Sequence, residues 1–130
     1  MSRIHITIAS VPPSANRMRK HFLDKNTGKV RSVKDDAYKT WKQNAAWELR
    51  SQTKEKIIGP YSLHIHVQRD WGSKRARDID NTIKPVSDAL VASGIVEDDS
   101  LCEAVSAKWS DEVTGVLVIV DPAWRTGMDV

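Results

Sequence analysis

The chain has 130 residues, 40% apolar and 28% charged, with a formal net charge of +3 and one cysteine. This length suits a single domain with its own core, and the composition is that of an ordinary soluble protein rather than a disordered chain. No apolar run approaches the ~20 residues of a membrane span, and the lone Cys102 excludes an internal disulfide or a CxxC-type zinc site, so a cytoplasmic protein without a membrane partner is expected.

Ile4, Ile6 and Ile8 alternate with His5 and Thr7, which predicts a half-buried strand rather than a secretory leader. Pro12 and Pro13 end it, and "PPSANRMRK" reads as a basic loop. "DKNTGK", around Gly28, is turn chemistry suited to a hairpin tip. From Val33 to Thr53 the pattern becomes helical: Ala37, Tyr38, Trp41, Ala45 and Leu49 form a stripe, with Lys39, Lys42 and Arg50 off it. Gly59-Pro60 closes the connection to "YSLHIHVQR". Here Tyr61, Leu63, Ile65 and Val67 occupy one strand face, and His64 and His66 the other.

A basic loop, Asp70 to Arg77, leads to a second helix from Thr82 to Ser93, with Ile83, Val86, Leu90 and Val91 as its buried stripe and Gly94 just past its end. Pro85 must sit in the first turn, because an interior proline loses a backbone bond and clashes with the preceding turn. The helix therefore starts near Asn81 or Thr82, leaving Asp78 and Asp80 on the chain leading in. Leu101 to Trp109 alternates again, and "SDEVTG" is a hairpin-like turn into "VLVIVD", an apolar run fit for a central strand. The order β-α-β-α-β-β predicts one α/β (α+β) layer sandwich, a four-stranded mixed or antiparallel sheet with two helices. One domain over residues 1–130 is expected, with a loosely ordered tail at 122–130.

Charge is unevenly distributed. Residues 1–77 carry 17 Lys/Arg against 6 Asp/Glu, and residues 78–130 carry 3 against 11. Cations near phosphates gain affinity by releasing condensed counterions, so the basic half suggests a polyanionic partner, although two solvated surfaces would give the same count. The acidic half begins at once with Asp78 and Asp80, and adds Glu97, Asp98 and Asp99. If the helix brings these together, the cluster needs either something positive within it or raised pKa values: unit charges 4 Å apart repel by ~4 kcal/mol at an effective dielectric of 20. Carboxylate oxygens without His or Cys favour Mg²⁺ or Mn²⁺, which could activate water against a phosphoryl group. Lys84 could place charge where the transition state becomes more negative.

Simpler readings exist for each residue. Asp80 could cap a helix, Asp98-Asp99 could be turn residues, and Asp80, Lys84 and Asp88 could form a surface ladder at four-residue spacing. An EF-hand fails, because its glycine position holds Ile83 and its twelfth position holds Ala89. No (D/E)-x-K triplet occurs, which disfavours restriction-type nucleases. His64 and His66 read as a polar strand face, and Trp71 either stacks on an unpaired base or packs. Neither a phosphate-binding glycine loop nor a serine with triad context is present.

"RDIDNTIKPVSDAL" followed by "GIVEDDS" closely resembles the signature of the RusA family of Holliday junction resolvases. "PPSANR" and "YKTW" match that family in the same order, and the resemblance runs from residue 4 to residue 120. It implies a RusA-like fold and a homodimer, of a kind often carried by prophages, acting in DNA recombination and repair. That dimer would bind four-way DNA junctions and make paired symmetric nicks with Mg²⁺, leaving a 5′-phosphate and a 3′-hydroxyl. It also implies Asp78, Asp80 and Asp99 as metal ligands and Lys84 as the essential lysine, with the role of Asp98 open. Arg69, Lys74, Arg75 and Arg77, with Arg17, Arg19 and Lys20, would hold phosphates. Ala76 interrupts the arginines of the basic loop, and the last nine residues match nothing in the family. A related nuclease for flap or branched DNA, and a non-catalytic nucleic-acid-binding module, are the alternatives.

Overall fold

The computed structural model describes residues 3–13, 19–23, 30–34, 36–69 and 78–123. Its elements are β1 (Ile4–Ile8), β2 (Arg19–Leu23), β3 (Val30–Lys34), α1 (Asp36–Gln52), β4 (Tyr61–Gln68), α2 (Ile83–Ser93), β5 (Cys102–Ser110) and β6 (Val116–Pro122). Short 3-10 turns, Ile79–Thr82 and Asp99–Leu101, precede α2 and β5. Four strands form one sheet in the order β1-β6-β4-β5. Strand β6 runs antiparallel to β1 and β4, whereas β4 and β5 are parallel, so the sheet is mixed as expected. No helix among the described residues is long and apolar enough to cross a membrane.

The alternating patterns of β1 and β4 bury the residues they predict, whereas β5, where Leu101 to Trp109 alternates in sequence, buries none of its residues. Ile4, Ile6 and Ile8 join Tyr61, Leu63, Ile65 and Val67 of β4 and Val116, Val118 and Val120 of β6 in one core. Trp41, Ala45 and Leu49 from α1 and Val86, Ala89 and Leu90 from α2 complete it. Ala37, placed on the stripe by its spacing, is exposed instead. Pro85 is buried in the first turn of α2, where its missing N–H costs nothing. Gly94 ends the helix with φ +80, its N–H donating to the Val91 carbonyl at 3.0 Å.

Two connections differ from the sequence reading. Strands β2 and β3 form a separate antiparallel pair, so Val33 lies in β3 and α1 begins at Asp36. A hairpin ladder satisfies the backbone of 30–34, and an acidic first turn suits the helix dipole. The "SDEVTG" turn also joins strands that are not neighbours, because β4 lies between β5 and β6. The turn straddles the end of β4: Gln68 N donates to Gly115 O at 2.8 Å, and Gly115 N to Gln68 Oε1 at 2.9 Å. Arg69 N donates to Ser110 O at 3.1 Å.

The outer side of β1 is closed by α1 rather than by a strand. The Gln52 carboxamide accepts from Thr7 N at 2.8 Å and donates to Thr7 O at 2.6 Å, while Glu48 Oε1 accepts from Ala9 N at 3.0 Å. At the other end of the chain, Pro122 and Ala123, assigned by sequence to the loose tail, are buried. Ala123 N donates to Pro60 O at 3.0 Å. Residues 124–130 lie outside the described residues.

Gly115 has φ +70, and a Cβ there would stand 2.0 Å from the Ile8 carbonyl oxygen. That neighbour is backbone and cannot step aside without opening the β1–β6 pairing. Gly115→Ala is expected to lower stability by about 1–3 kcal/mol from backbone strain alone, with the clash adding to it. A shift of the urea unfolding midpoint measures the loss.

Candidate active site

The segment leading into α2 folds as a 3-10 turn. Thr82 is buried and its hydroxyl donates to Ile79 O at 2.6 Å, while Asn81 N donates to Asp78 O at 3.1 Å. Asp78 precedes the turn in extended conformation, and its carboxylate makes no capping bond. Asp80 lies within the turn, its carbonyl accepting from Ile83 N. The turn therefore delivers Asp80 to the start of α2, where it joins Lys84 and Ser87 on one side of a pocket of about 370 Å³. Asp99, Cys102 and Val105, from the turn before β5 and from β5 itself, also line it. Residues far apart in sequence thus share one pocket, with Asp80, Lys84 and Asp99 among its walls; Asp78 is exposed and does not line it.

The two adjacent aspartates of "VEDDS" have different tasks. Asp98 caps the turn before β5, accepting from Ser100 N at 3.3 Å and from the Ser100 hydroxyl. The Ser100 hydroxyl, followed by the backbone N–H, holds the Asp98 carboxyl below the ordinary aspartate range. With the cap supplied by Asp98, Asp99 faces the pocket, where its Oδ2 lies 2.8 Å from Lys84 Nζ. Glu97 is turned elsewhere and accepts from Gly59 N at 2.8 Å.

Lys84 is shared. Its ammonium also lies 3.0 Å from Asp88 Oδ1, one helical turn further along α2. Hydrogen bonds to Asp99 and then Asp88 raise its pKa, so it remains a cation at neutral pH. Only one half of the surface ladder suggested by spacing is formed, because Asp80 sits in the 3-10 turn and Asp99 is the second partner. The other Asp88 oxygen accepts from the Tyr38 hydroxyl of α1. Tyr38 is fully buried, and burial, reinforced by Asp88, pushes its phenol well above the usual range. Sequence periodicity identifies Tyr38 only as core. Its bond to Asp88 is invisible to pattern reading.

Beneath the pocket, Tyr61 pairs with Cys102 across the parallel strands. Its side chain is fully buried, and the hydroxyl has no hydrogen-bond partner among the described residues. Burial first, then Cys102, Asp99 and Asp98, push the phenol up to about 12. The Cys102 thiol is also pushed up by burial, which makes it a poor nucleophile.

Among the described residues, no three His, Cys, Asp or Glu side chains gather tightly enough to hold a metal ion by themselves. The donors nevertheless fit a hard divalent ion in kind: Asp80 and Asp99 offer only oxygens, and the Lys84 ammonium already balances Asp99 at 2.8 Å. On the open face of the sheet, His64 Nδ1 lies 2.6 Å from Ser106 Oγ, and its Nε2 is 4.0 Å from Asp121. This is not a catalytic triad, since 4.0 Å is too long for a hydrogen bond and Asp121 accepts from Arg3 Nε at 2.8 Å.

Of the expected phosphate-binding residues, Arg69 lies just past β4, its Nε donating to Asp111 Oδ1 at 2.9 Å. Arg19 and Lys20 fall on β2. Arg17, Lys74, Arg75, Arg77 and Trp71 lie outside the described residues.

Comparison with known proteins places this geometry. The model of a family described as "Endodeoxyribonuclease RusA" matches residues 10–121, a span that includes both 3-10 turns, α2 and β5. The chain belongs to the RusA family. It is also 29% identical over 125 residues to the "Crossover junction endodeoxyribonuclease RusA" of Aquifex aeolicus (strain VF5), covering 94% of each chain. As a RusA-family protein it is a nuclease, a hydrolase acting on DNA, and the non-catalytic binding module is set aside.

Two outcomes follow for this RusA-family pocket. Tyr61→Phe removes a buried hydroxyl that lacks a partner among the described residues, so stability should rise by about 1–3 kcal/mol at neutral pH. The native phenol titrates near 12 against 10.0 for the free side chain. The unfolded chain therefore loses this proton first as pH rises, and the Tyr61 contribution, complete below pH ~10, is lost between the two values. Urea titrations across alkaline pH should show a shallower decline for Tyr61→Phe. Second, Asp98→Ala should speed amide exchange at Ser100 and Leu101, whereas Asp98→Asn, which keeps a side-chain acceptor, should not.

Proposed function

We propose that this nuclease resolves four-way DNA junctions, acting as a homodimer that makes paired, symmetric nicks with Mg²⁺ or Mn²⁺ as cofactor. The observation that carries the reading is the pocket in which Asp80 and Lys84 from the start of α2 meet Asp99 from the turn before β5. The name of the Aquifex aeolicus relative, a crossover junction endodeoxyribonuclease, supports a junction as the substrate. A junction has approximate two-fold symmetry and needs two cuts, so one site per subunit of a two-fold dimer matches it. A role in DNA recombination and repair follows from that substrate.

Asp80 and Asp99 would hold the divalent ion, with Asp78 as the third carboxylate. When bound, the ion supplies Lewis acidity toward water and a phosphoryl oxygen. The remaining work falls to the chain. Lys84 sets an ammonium where the phosphorus centre gains negative charge as water adds. The 3′ oxygen leaves, giving a 5′-phosphate and a 3′-hydroxyl. Arg69 holds the backbone in register together with Arg17, with Arg19 and Lys20 of β2, and with Lys74, Arg75 and Arg77. These contacts position the strand and do not read its sequence.

Asp80→Asn is expected to keep salt-sensitive binding to junction DNA but cut it at least about 10²-fold more slowly. Full cutting by this variant would remove the assignment. End-labelled four-way junction, linear duplex and flap substrates, each with and without Mg²⁺, test the substrate class. Paired nicks beside the crossover of the first substrate alone are the expected result; equal cutting of the flap would point to a broader branched-DNA nuclease.

A further inference from the structure

The residue that binds Lys84 from behind has no part in the reading above. Asp88 is an interior residue of α2 with its side chain 18% exposed, and each of its oxygens is engaged. One oxygen holds the Lys84 ammonium at 3.0 Å, and the other accepts from the fully buried Tyr38 of the neighbouring helix. An ordinary exposed pair at four-residue spacing is held by neither burial nor a second helix, and contributes little. Here the carboxylate is fixed by a rigid phenol, whereas Asp99, the other partner of Lys84, sits at the pocket wall.

Lys84 therefore occupies two sites of unequal permanence. The Asp99 contact is one that a divalent cation competes with, because an ammonium 2.8 Å from Asp99 Oδ2 repels a dication drawn to the same carboxylate. The Asp88 contact is outside that competition. We propose that Asp88, anchored by Tyr38, is a positioning residue that keeps Lys84 at the pocket when a divalent cation takes Asp99. This rests on the metal-dependent reading given above. Without Asp88, leaving Asp99 would strip Lys84 of its remaining anion, so the lysine would hold Asp99 more stubbornly and also lose its place once displaced.

The alternative is that Asp88 contributes only its charge to the field around the pocket. A double-mutant cycle separates the two, because coupling through Lys84 vanishes when Lys84 is removed, whereas a field effect does not. The probe is Mn²⁺ without DNA, its free concentration read by electron paramagnetic resonance, with thermal melts confirming that each variant is folded. Lys84→Gln should bind Mn²⁺ about two- to fivefold more tightly, the scale of one part-exposed ion pair. Asp88→Asn should bind it more weakly by a similar factor, and should change little when Lys84→Gln is already present. Tyr38→Phe, which keeps the buried ring, should weaken binding in the same direction and add nothing to Asp88→Asn; it carries the test should Asp88→Asn fail to fold. In the Mg²⁺-saturated protein, the Lys84 ammonium protons should exchange slowly with water, and quickly in Asp88→Asn. Equal weakening by Asp88→Asn with and without Lys84 would overturn the proposal and leave the metal site intact. Failure of the native protein to bind Mn²⁺ at all would overturn both this proposal and the metal-dependent reading.

Discussion

An ammonium shared between two carboxylates organises the pocket. Asp88 and Asp99 come from different segments, and at short separation two such anions repel by several kcal/mol in a partly buried setting. Lys84 lies within 3.0 Å of one and 2.8 Å of the other, so the repulsion becomes a pair of attractions. Through Tyr38 the same network reaches α1. Three parts of the chain are thereby tied at one point: the first helix, the second helix and the turn before β5.

The sheet makes that meeting possible. Parallel neighbours cannot be joined by a tight hairpin and need a crossover, and α2 is the crossover between β4 and β5. The helix carries Lys84 and Asp88 across the sheet while the return into β5 supplies Asp99. Strand β6 then turns back over the end of β4 to lie on its other side, so β4 is paired on both edges and buried along its core face. The pocket is built beside a strand that is paired on both edges, which limits how far its walls can drift.

The sequence is most readable where one residue's chemistry dictates one conformation. Pro85 locates the first turn of α2, Gly94 its end, and the alternation in "YSLHIHVQ" the faces of β4. The sequence also leads one to expect Asp78, Asp80 and one of Asp98 and Asp99 to converge, and of these Asp80 and Asp99 line the pocket whereas Asp78 does not. Long-range pairings are different. A turn sequence announces a chain reversal but not whether the strands it joins are neighbours, so the insertion of β4 between β5 and β6 is hidden. The five residues of β3 are too few to establish a period, and the helical stripe beginning nearby overwhelms them. Asp98 and Asp99 are chemically identical side by side; only the extended backbone of Asp98, at φ −162 and ψ 150, and the Ser100 hydroxyl decide which one caps and which one faces Lys84.

The manner in which α1 closes β1 has a consequence for assembly. A carboxamide carries one acceptor and two donors, so Gln52 imitates a single peptide unit of a missing neighbouring strand, and Glu48 occupies the next outward N–H. The imitation is intramolecular and cannot propagate. A second chain cannot pair with β1 at Thr7 and Ala9 while these bonds stand, so the C-terminal end of this edge is protected from the runaway pairing that exposed backbone invites.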